Sequence, residues 1–287
     1  MTYEFVELTS QAATAHWGWT IAFFLWFVGL AGMGLFLNLW VRSRLVFLIS
    51  TGAALVGTLL VVSHLSRILN LPFAAINALL EWKFNFGSWM FIGICILAVL
   101  CVVTVLLAVG LMKGCAVAES SAAAWFNAVL GVAATAYSGF LLTQAVGVPL
   151  WTSAVLPVLW IFSGLACAVG LVEVLVALGR IDHDRLPWLG TTANAVHVGE
   201  ALVIFAFIQV ALSGTPGAVA GAQSMLCGPN SLLFWGGAVA VGILIPFVLG
   251  FVKNNAMKLA GGVCAILGAL ALRAAVLFAG YFDPVIF

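Results

Sequence analysis

The sequence predicts an all-α polytopic membrane protein, and two observations carry this prediction. Of the 287 residues, 65% are hydrophobic and only 7% are charged, whereas soluble domains carry about 25% charged residues. The mean hydropathy is +1.25, and apolar runs extend for about 20 residues, the length of a membrane-spanning helix. Together they exclude a water-soluble enzyme, a nucleic-acid-binding domain and a disordered chain. A membrane barrel is not expected, because its strands alternate polar and apolar residues, whereas this sequence is apolar over the length of whole helices.

About eight apolar segments are long enough to cross a bilayer, and short polar connections separate them. We place them at Trp19–Val41, Leu45–His64, Ser88–Met112, Ser121–Thr143, Trp151–Leu178, Thr192–Leu212, Leu232–Val252 and Met257–Tyr281. No connection is long or polar enough to form a soluble domain, so residues 1–287 are expected to be a single membrane domain. The first 16 residues contain no Lys or Arg, so a cleavable signal peptide, which needs a basic start, is not expected.

Basic residues in the connections predict the orientation of the chain. The connections after the first, third, fifth and seventh segments contain Arg42, Arg44, Lys113, Arg180, Arg185, Lys253 and Lys258. The alternate connections contain only Arg67 and Lys83. Because basic residues accumulate on the cytoplasmic side, both termini are predicted to lie outside. The expected location is the inner (cytoplasmic) membrane.

Two outer connections, Leu65–Gly87 and Ser213–Ser231, are long, and the second contains no charged residue. The first contains apolar residues at roughly helical spacing: Phe73, Ile76, Leu79, Leu80 and Trp82. Pro72 precedes them, as is typical of the start of a short helix. Such a segment either lies in the plane of the interface or forms an apolar platform on which another protein docks.

Besides His64 at the end of the second span, four ionisable residues remain inside the membrane once the charges of the connections are assigned: Glu173, His197, Glu200 and Arg273. A charge at mid-bilayer costs roughly 2.5–3.5 kcal/mol, so such groups are functional candidates. His197 precedes Glu200 by one helical turn on the same face, and the four residues together form a candidate proton relay. The structural alternatives are a Glu200 that only packs, a Glu173 that reaches the headgroups, and an Arg273 held in an ion pair.

His64 closes the second span at the outer interface, with Arg67 one turn further along the chain. An imidazole at that depth reaches both water and the hydrocarbon edge, and it titrates near neutral pH. This combination suits the exchange of electrons and protons with a quinone headgroup. The alternative is a histidine that the interface merely tolerates.

The cysteines do not predict a metal site. Cys95, Cys101, Cys115, Cys167, Cys227 and Cys264 form no CxxC pair. We therefore do not expect this chain alone to hold an iron–sulfur cluster or zinc. The net charge of +1 also gives no reason to expect a nucleic acid as partner.

Several blocks of the sequence resemble the NrfD/polysulfide-reductase membrane-subunit family. His64–Arg67 (HLSR) and Ser88–Gly93 (SWMFIG) are similar to its "HLxRP … SxMxxG" signature. The stretch from Tyr137 (YSGFLL) through Pro149–Trp151 (PLW) to Leu156–Gly164 (LPVLWIFSG) resembles its "YtGfLL … PlWn … LPvLFlxSG" block. Further blocks are Leu272–Tyr281, which resembles the closing "LRxvvvxAGq", and the Gly-rich Gly29–Gly32 of the first span.

The resemblance implies a quinone-binding membrane anchor built of two packed four-helix bundles. Members of the family sit beneath a ferredoxin-like iron–sulfur subunit that exchanges electrons with a molybdopterin or multihaem partner, and they hold no haem. Their quinone, of menaquinone or ubiquinone type, binds near the outer face. Carried over by motif, His64, Arg67, Tyr137 and Trp151 would surround the headgroup here. No metal or haem is then expected on this chain.

The sequence departs from the family pattern at two places. Ile68 stands where a proline usually follows the arginine of the first block. The stretch Ile21–Phe24 is apolar where some polysulfide-reductase subunits have Asn and His. We therefore expect the headgroup to rest on Phe24 instead of accepting a hydrogen bond from this helix.

Two alternative functions remain open at this stage. Intramembrane carboxylates and a histidine (Glu173, Glu200, His197) are also what a proton-coupled secondary transporter uses, although no paired, interrupted helices are evident in two halves of the sequence. The other alternative is a structural anchor that tethers a partner and binds no quinone.

Overall fold

The computed structural model describes residues 14, 15, 17–64, 73, 76, 77, 80–82, 84–252 and 254–283. Within these residues, eight helices are long and apolar enough to cross a membrane. They are α1 (Trp19–Val41), α2 (Arg44–Ser63), α3 (Trp89–Met112), α4 (Ser121–Thr143), α5 (Leu156–Ala177), α6 (Leu189–Leu212), α7 (Leu232–Leu249) and α8 (Asn255–Phe278). The predicted all-α architecture with eight spans is confirmed.

Local signals explain where several helices begin. The hydroxyls of Ser43, Ser88 and Ser120 accept hydrogen bonds from backbone N–H groups in the first turns of α2, α3 and α4, as N-cap residues do. The predicted start of the fifth span at Trp151 is wrong. Residues 145–155 form turns, and α5 begins at Leu156, with Pro157 in its first turn, where proline loses no hydrogen bond.

The helices form two four-helix bundles, as predicted. In the first bundle, α1 and α3 each pack against both α2 and α4, so the four helices form a closed ring. In the second bundle, α5 and α7 each pack against both α6 and α8. The bundles meet where α1 contacts α5 and α8, and where α4 contacts α5.

Burial follows this arrangement. In α1 and α5, 72% of the most apolar window is buried, whereas in α3 and α7 the share is 28%. The difference arises because α1 and α5 lie at the junction of the bundles and α3 and α7 lie at opposite ends. The exposed apolar faces of α3 and α7 are suited to contact lipid.

The first and last described residues lie on the same face of the molecule. Thr14 pairs with Tyr281 in an isolated antiparallel bridge, and the Ala15 N–H donates to the Gly280 carbonyl at 2.9 Å. We call this the outer face and the opposite one, which includes Arg42, Arg44 and Lys113, the inner face. The names follow the predicted orientation, which stays a prediction.

The outer connections contain short helices. Pro216–Leu226 is helical, which the sequence analysis did not predict, and the Gly217 N–H is bound to the Asp283 carboxylate at 2.7 Å. In the connection from α2 to α3, the helical residues are Phe73, Ile76, Asn77 and Leu80. Trp82, which was predicted to continue this helix, lies in a turn with a φ of 49°, and Pro72 and Leu79 lie outside the described residues.

Candidate functional site

Arg273 lies in the outer half of α8, is 1% exposed, and is enclosed by hydrogen-bond acceptors. Its Nε donates to the Leu25 carbonyl of α1 at 3.1 Å. Its Nη1 donates to Ser163 Oγ at 2.8 Å and to the Ala269 carbonyl at 3.0 Å. Its Nη2 donates to the Trp160 carbonyl at 3.3 Å, and the guanidinium lies 5.2 Å from the centre of the Trp160 ring, within cation–π range. The charge therefore ties α1 of the first bundle to α5 and α8 of the second.

Glu200, near the middle of α6, is 3% exposed and belongs to the same cluster. Its carboxyl group is hydrogen-bonded to the Ser163 hydroxyl and lies in the field of Arg273. Since the Ser163 oxygen also accepts from Arg273 Nη1, this hydroxyl bridges the two ionisable groups. Two buried groups of opposite charge can stay in the membrane because each has a polar partner.

Gly29 of α1 makes room for this cluster. A methyl group at this position would clash with Arg273 Nη2. Any larger residue would therefore push the guanidinium away from its acceptors. The contact with Arg273 explains why a glycine stands in the middle of this span, although glycine is unfavourable in the interior of a helix.

A cavity of about 750 Å³ opens on the inner side of the second bundle; we call it the inner vestibule. Glu173, Asn194, His183 and Lys258 are among the residues that line it. Lys258 Nζ lies 2.6 Å from His183 Nε2 at the rim. Glu173 therefore faces this cavity, although the sequence left open that it merely reaches the headgroups.

Two polar atoms between the inner vestibule and Glu200 lack a hydrogen-bond partner. They are Asn194 Oδ1 and His197 Nδ1, both shielded from solvent. Asn194, His197 and Glu200 follow one another at intervals of three residues on α6. The structure thus places His197 and Glu200 together, as expected from their spacing, and adds Asn194 as the next polar side chain toward the inner face.

The predicted quinone-binding residues lie at the outer end of the molecule. His64 follows the last residue of α2 and is exposed, and its N–H donates to the Val61 carbonyl at 3.2 Å. Arg67 lies outside the described residues. Tyr137 of α4 is 4% exposed and packs its ring directly on Gly93 of α3, where a methyl group would overlap it.

Trp151 and Phe24 have apolar surroundings. The Trp151 indole N–H donates to the Val276 carbonyl of α8 at 2.9 Å, and its ring lies 5.0 Å from that of Trp17. The indole N–H is the only polar group of the Trp151 side chain, and it is therefore already hydrogen-bonded within the protein. Phe24 of α1 is 1% exposed. Among the described residues, no hydrogen bond or ring contact joins His64, Tyr137 and Trp151 to one another.

Residues 7–284 match the family described as "Polysulphide reductase, NrfD". The chain belongs to the NrfD family. "Protein NrfD" of Escherichia coli is 24% identical over 92% of this chain and 94% of its own length. The C component of the polysulfide reductase of Wolinella succinogenes is 24% identical over 94% of this chain and 96% of its own length. "Protein NrfD homolog" of Haemophilus influenzae is 27% identical over 53% of this chain and 49% of its own length.

This NrfD-family protein is thus a multi-pass membrane protein. Within its described residues, no group of three or more His, Cys, Asp or Glu side chains is arranged to hold a metal ion. The described cysteines are all free thiols.

The sequence analysis missed three residues of the buried cluster. Ser163 was noted only as part of a motif, because a serine in an apolar helix gives no sign of its partners. Gly29 was noted only as part of a Gly-rich stretch. Asn194 could have been found, since it precedes His197 by the same three residues that separate His197 from Glu200.

Proposed function

We propose that this protein is the quinone-binding membrane anchor subunit of a respiratory oxidoreductase in the inner (cytoplasmic) membrane. In the proposal, it passes electrons between membrane quinol and a ferredoxin-like iron–sulfur subunit on the outer face. That subunit in turn serves a molybdopterin or multihaem catalytic partner. The observation that carries the proposal is the match to the NrfD family over residues 7–284, supported by a full-length relative that is named as a component of polysulfide reductase.

The quinone headgroup would bind at the outer end of the first bundle. Tyr137 supports this best, because its buried phenol has no hydrogen-bond partner among the described residues and can donate to a quinone oxygen. His64 is exposed at the same end and can accept a proton as the hydroxyl of a quinol is oxidised. A bound quinol would supply two electrons and two protons.

The remaining residues would shape this site without hydrogen bonds to the ring. The Trp151 indole N–H is bound to Val276, so Trp151 can offer only its apolar face. Phe24 has no polar group and can only pack against the headgroup or its tail. Arg67, which follows His64 by three residues in the family motif, is also proposed to contact the headgroup.

The connection from α2 to α3 is proposed as the docking surface for the iron–sulfur subunit. Trp82 is 82% exposed and Phe86 is 70% exposed, and both rings lie about 6 Å from Phe84. Exposed aromatic side chains of this kind are typical of binding surfaces between proteins. His64 lies at the end of α2, where this connection begins, so a partner docked on the connection would lie on the same side of the membrane as the proposed quinone site.

The test is quinol-dependent reduction of the co-purified complex. Tyr137→Phe and His64→Ala are each expected to lower the rate by about 100-fold, the contribution typical of a positioned proton donor or acceptor. The matched controls Thr143→Val and Ser63→Ala change polar residues on the same two helices, of which Thr143 is half-buried and Ser63 is exposed, and should leave the rate unchanged.

Two outcomes would contradict the proposal. If the protein purifies without any iron–sulfur protein and carries a solute with protons, it is a secondary transporter that uses Glu173, His197 and Glu200. If a partner co-purifies but the Tyr137 and His64 variants reduce it at the rate of the unaltered protein, the quinone site is elsewhere or absent.

A further inference from the structure

We infer that the inner end of the first bundle binds the headgroup of phosphatidylglycerol, an anionic phospholipid whose phosphodiester carries a free glycerol. The site is a cavity at the opposite end of this bundle from the proposed quinone site. The inference goes beyond the proposed function, because it requires neither a bound quinone nor a partner subunit. It rests on the walls of the cavity, on two arginines, and on a buried amide oxygen that has no partner.

The cavity is lined by residues of all four helices of the first bundle and has a volume of about 210 Å³. This volume corresponds to roughly seven water molecules at about 30 Å³ each, which suits a small headgroup. Leu35 of α1, Phe47 of α2 and Leu111 of α3 form apolar walls, whereas Arg42 and Arg44 lie at its basic side. A ligand with a charged head next to an apolar part matches both kinds of wall.

Arg42 is the residue that binds the phosphate in this inference. Its Nε donates to the Leu39 carbonyl at 2.8 Å and its Nη2 donates to Ser121 Oγ at 3.4 Å. Three of the five guanidinium N–H groups therefore have no partner among the described residues and can bind phosphate oxygens in pairs. Arg42 also has a φ of 49°, a conformation that glycine usually adopts at the end of a helix. An arginine thus stands here despite an unfavourable backbone conformation.

The charge of the cavity favours an anion over a zwitterion. Two arginines and one glutamate line it, which gives a formal charge of +1. Glu119 is paired with Arg44, so the positive charge of Arg42 is not balanced within the cavity. Helices α2 and α4 also begin at this end, at Arg44 and Ser121, and the dipole at the start of a helix favours negative charge.

Asn127 selects a headgroup that contains a hydroxyl. Its side chain lines the cavity and is only 3% exposed. Its Nδ2 donates to the Ala123 carbonyl at 2.7 Å, whereas its Oδ1 has no hydrogen-bond partner. Buried polar atoms without a partner are rare, and this oxygen can only accept a hydrogen bond. A phosphodiester by itself has no donor, but the glycerol hydroxyls of phosphatidylglycerol can donate to Asn127 Oδ1.

The depth of the cavity favours a lipid over a soluble phosphate. Trp40, two residues before Arg42, is 53% exposed, and Trp125, in α4, is 58% exposed. Exposed tryptophans at the ends of spans are typical of the level of the lipid headgroups. Leu45 and Leu48 are exposed apolar residues at the start of α2, so the acyl chains of a lipid bound at Arg42 can pack on them. Basic pockets between membrane-spanning helices on the cytoplasmic side bind anionic headgroups in this way.

The test is native mass spectrometry of the full-length protein in detergent, titrated with phosphatidylglycerol or phosphatidylcholine. We expect phosphatidylglycerol to bind about tenfold more tightly than phosphatidylcholine, and Arg42→Gln to remove this preference, because hydrogen bonds to a charged group are lost. Arg42→Lys keeps the charge without the paired N–H groups and should retain part of it. The matched control Arg180→Gln removes the same charge from an exposed position at the inner face and should preserve the preference.

A second variant tests the glycerol contact. Asn127→Leu should lower the affinity for phosphatidylglycerol by about fivefold, because one hydrogen bond is lost. The affinity for phosphatidylmethanol, an anionic phosphodiester lipid without headgroup hydroxyls, should stay unchanged.

Three outcomes would overturn the inference. Equal losses in Arg42→Gln and Arg180→Gln would show attraction by the overall charge of the inner face and no built site. Equal binding of phosphatidylglycerol and phosphatidylcholine would show that the cavity does not select an anion. Displacement of phosphatidylglycerol by an excess of inorganic phosphate would show a site for a soluble anion. Loss of quinol oxidation has no bearing on any of these measurements.

Discussion

The two bundles of this protein treat their buried polar groups in opposite ways. In the first bundle, the buried hydroxyls of Thr51, Thr104, Thr135 and Ser138 donate to carbonyls three or four residues back in their own helices. In the second bundle, Glu200 and Arg273 meet across helices through Ser163. A hydroxyl that is hydrogen-bonded within its own helix does not join that helix to another one. The charged groups of the second bundle, in contrast, need hydrogen-bond partners from several helices at once.

The two bundles also differ at their inner ends. A smaller cavity of about 210 Å³ opens there in the first bundle and is lined in part by Asn127, whose Oδ1 has no partner. One turn further into the membrane, the backbone of Gly131 packs directly on that of Gly32, which leaves no space for water. The second bundle has close glycine contacts as well, where the backbone of Gly170 packs on that of Gly262 and the backbone of Gly242 on that of Gly268. The inner ends of the two bundles thus differ in the size of their cavities, about 210 Å³ in the first bundle and about 750 Å³ in the second.

The largest effect should come from Arg273. Arg273→Met removes the guanidinium that donates hydrogen bonds to α1, α5 and α8. The Glu200 carboxyl group then also loses the favourable positive charge of Arg273. Breaking a buried charged cluster in this way is expected to lower the free energy of unfolding by about 3–5 kcal/mol, measured by thermal unfolding in detergent. Arg185→Ala, whose side chain is 81% exposed, is the control and should leave the unfolding temperature unchanged. Equal stability of both variants would show that the cluster does not join the bundles.

The closure of the first bundle can be tested with two glycines. Gly131→Ala places a methyl group against the Gly32 backbone and should cost about 1–3 kcal/mol, because backbone atoms cannot move aside as those of a flexible side chain do. Gly52→Ala is the matched control, since a methyl group there meets nothing within 4 Å. Thermal unfolding of the two variants measures the difference, and a Gly131→Ala protein as stable as Gly52→Ala would contradict the tight contact between α1 and α4.

Trp151 should show a smaller effect. Trp151→Phe keeps an aromatic ring but removes the hydrogen bond to the Val276 carbonyl, at a cost of about 0.5–1.5 kcal/mol. Because that N–H is occupied within the protein, the KM for quinol should change little. A large rise in KM together with unchanged stability would instead indicate that the indole binds the quinone directly.

The smallest effect is expected at the inner surface, where Arg44 pairs with Glu119. Both side chains are largely exposed, so water screens their attraction and Glu119→Gln should change stability by less than about 1 kcal/mol. The measurement is again thermal unfolding, at low and high salt. A larger loss that salt does not reduce would mean that this pair holds the inner end of the first bundle more firmly than its exposure suggests.

Much of the fold could be predicted because lipid imposes a simple rule on the sequence. Each span must be apolar for about 20 residues, so the eight segments are visible directly, and most predicted boundaries lie within a few residues of the helices. The start of α5 was misplaced because Trp151 is apolar without being helical. The turns of residues 145–155 contain buried apolar side chains, so their composition cannot be distinguished from that of a membrane-spanning helix.

The sequence by itself determined that this protein spans the membrane eight times and that His197 and Glu200 share a face, because both facts depend only on composition and helical spacing. Tertiary structure alone decided that Ser163 bridges Glu200 to Arg273, that Glu173 lines a cavity, and that the Trp151 N–H is already occupied. These facts depend on contacts between helices far apart in the sequence. In a uniformly apolar sequence, no periodic pattern of polar and apolar residues indicates which helices pack against one another.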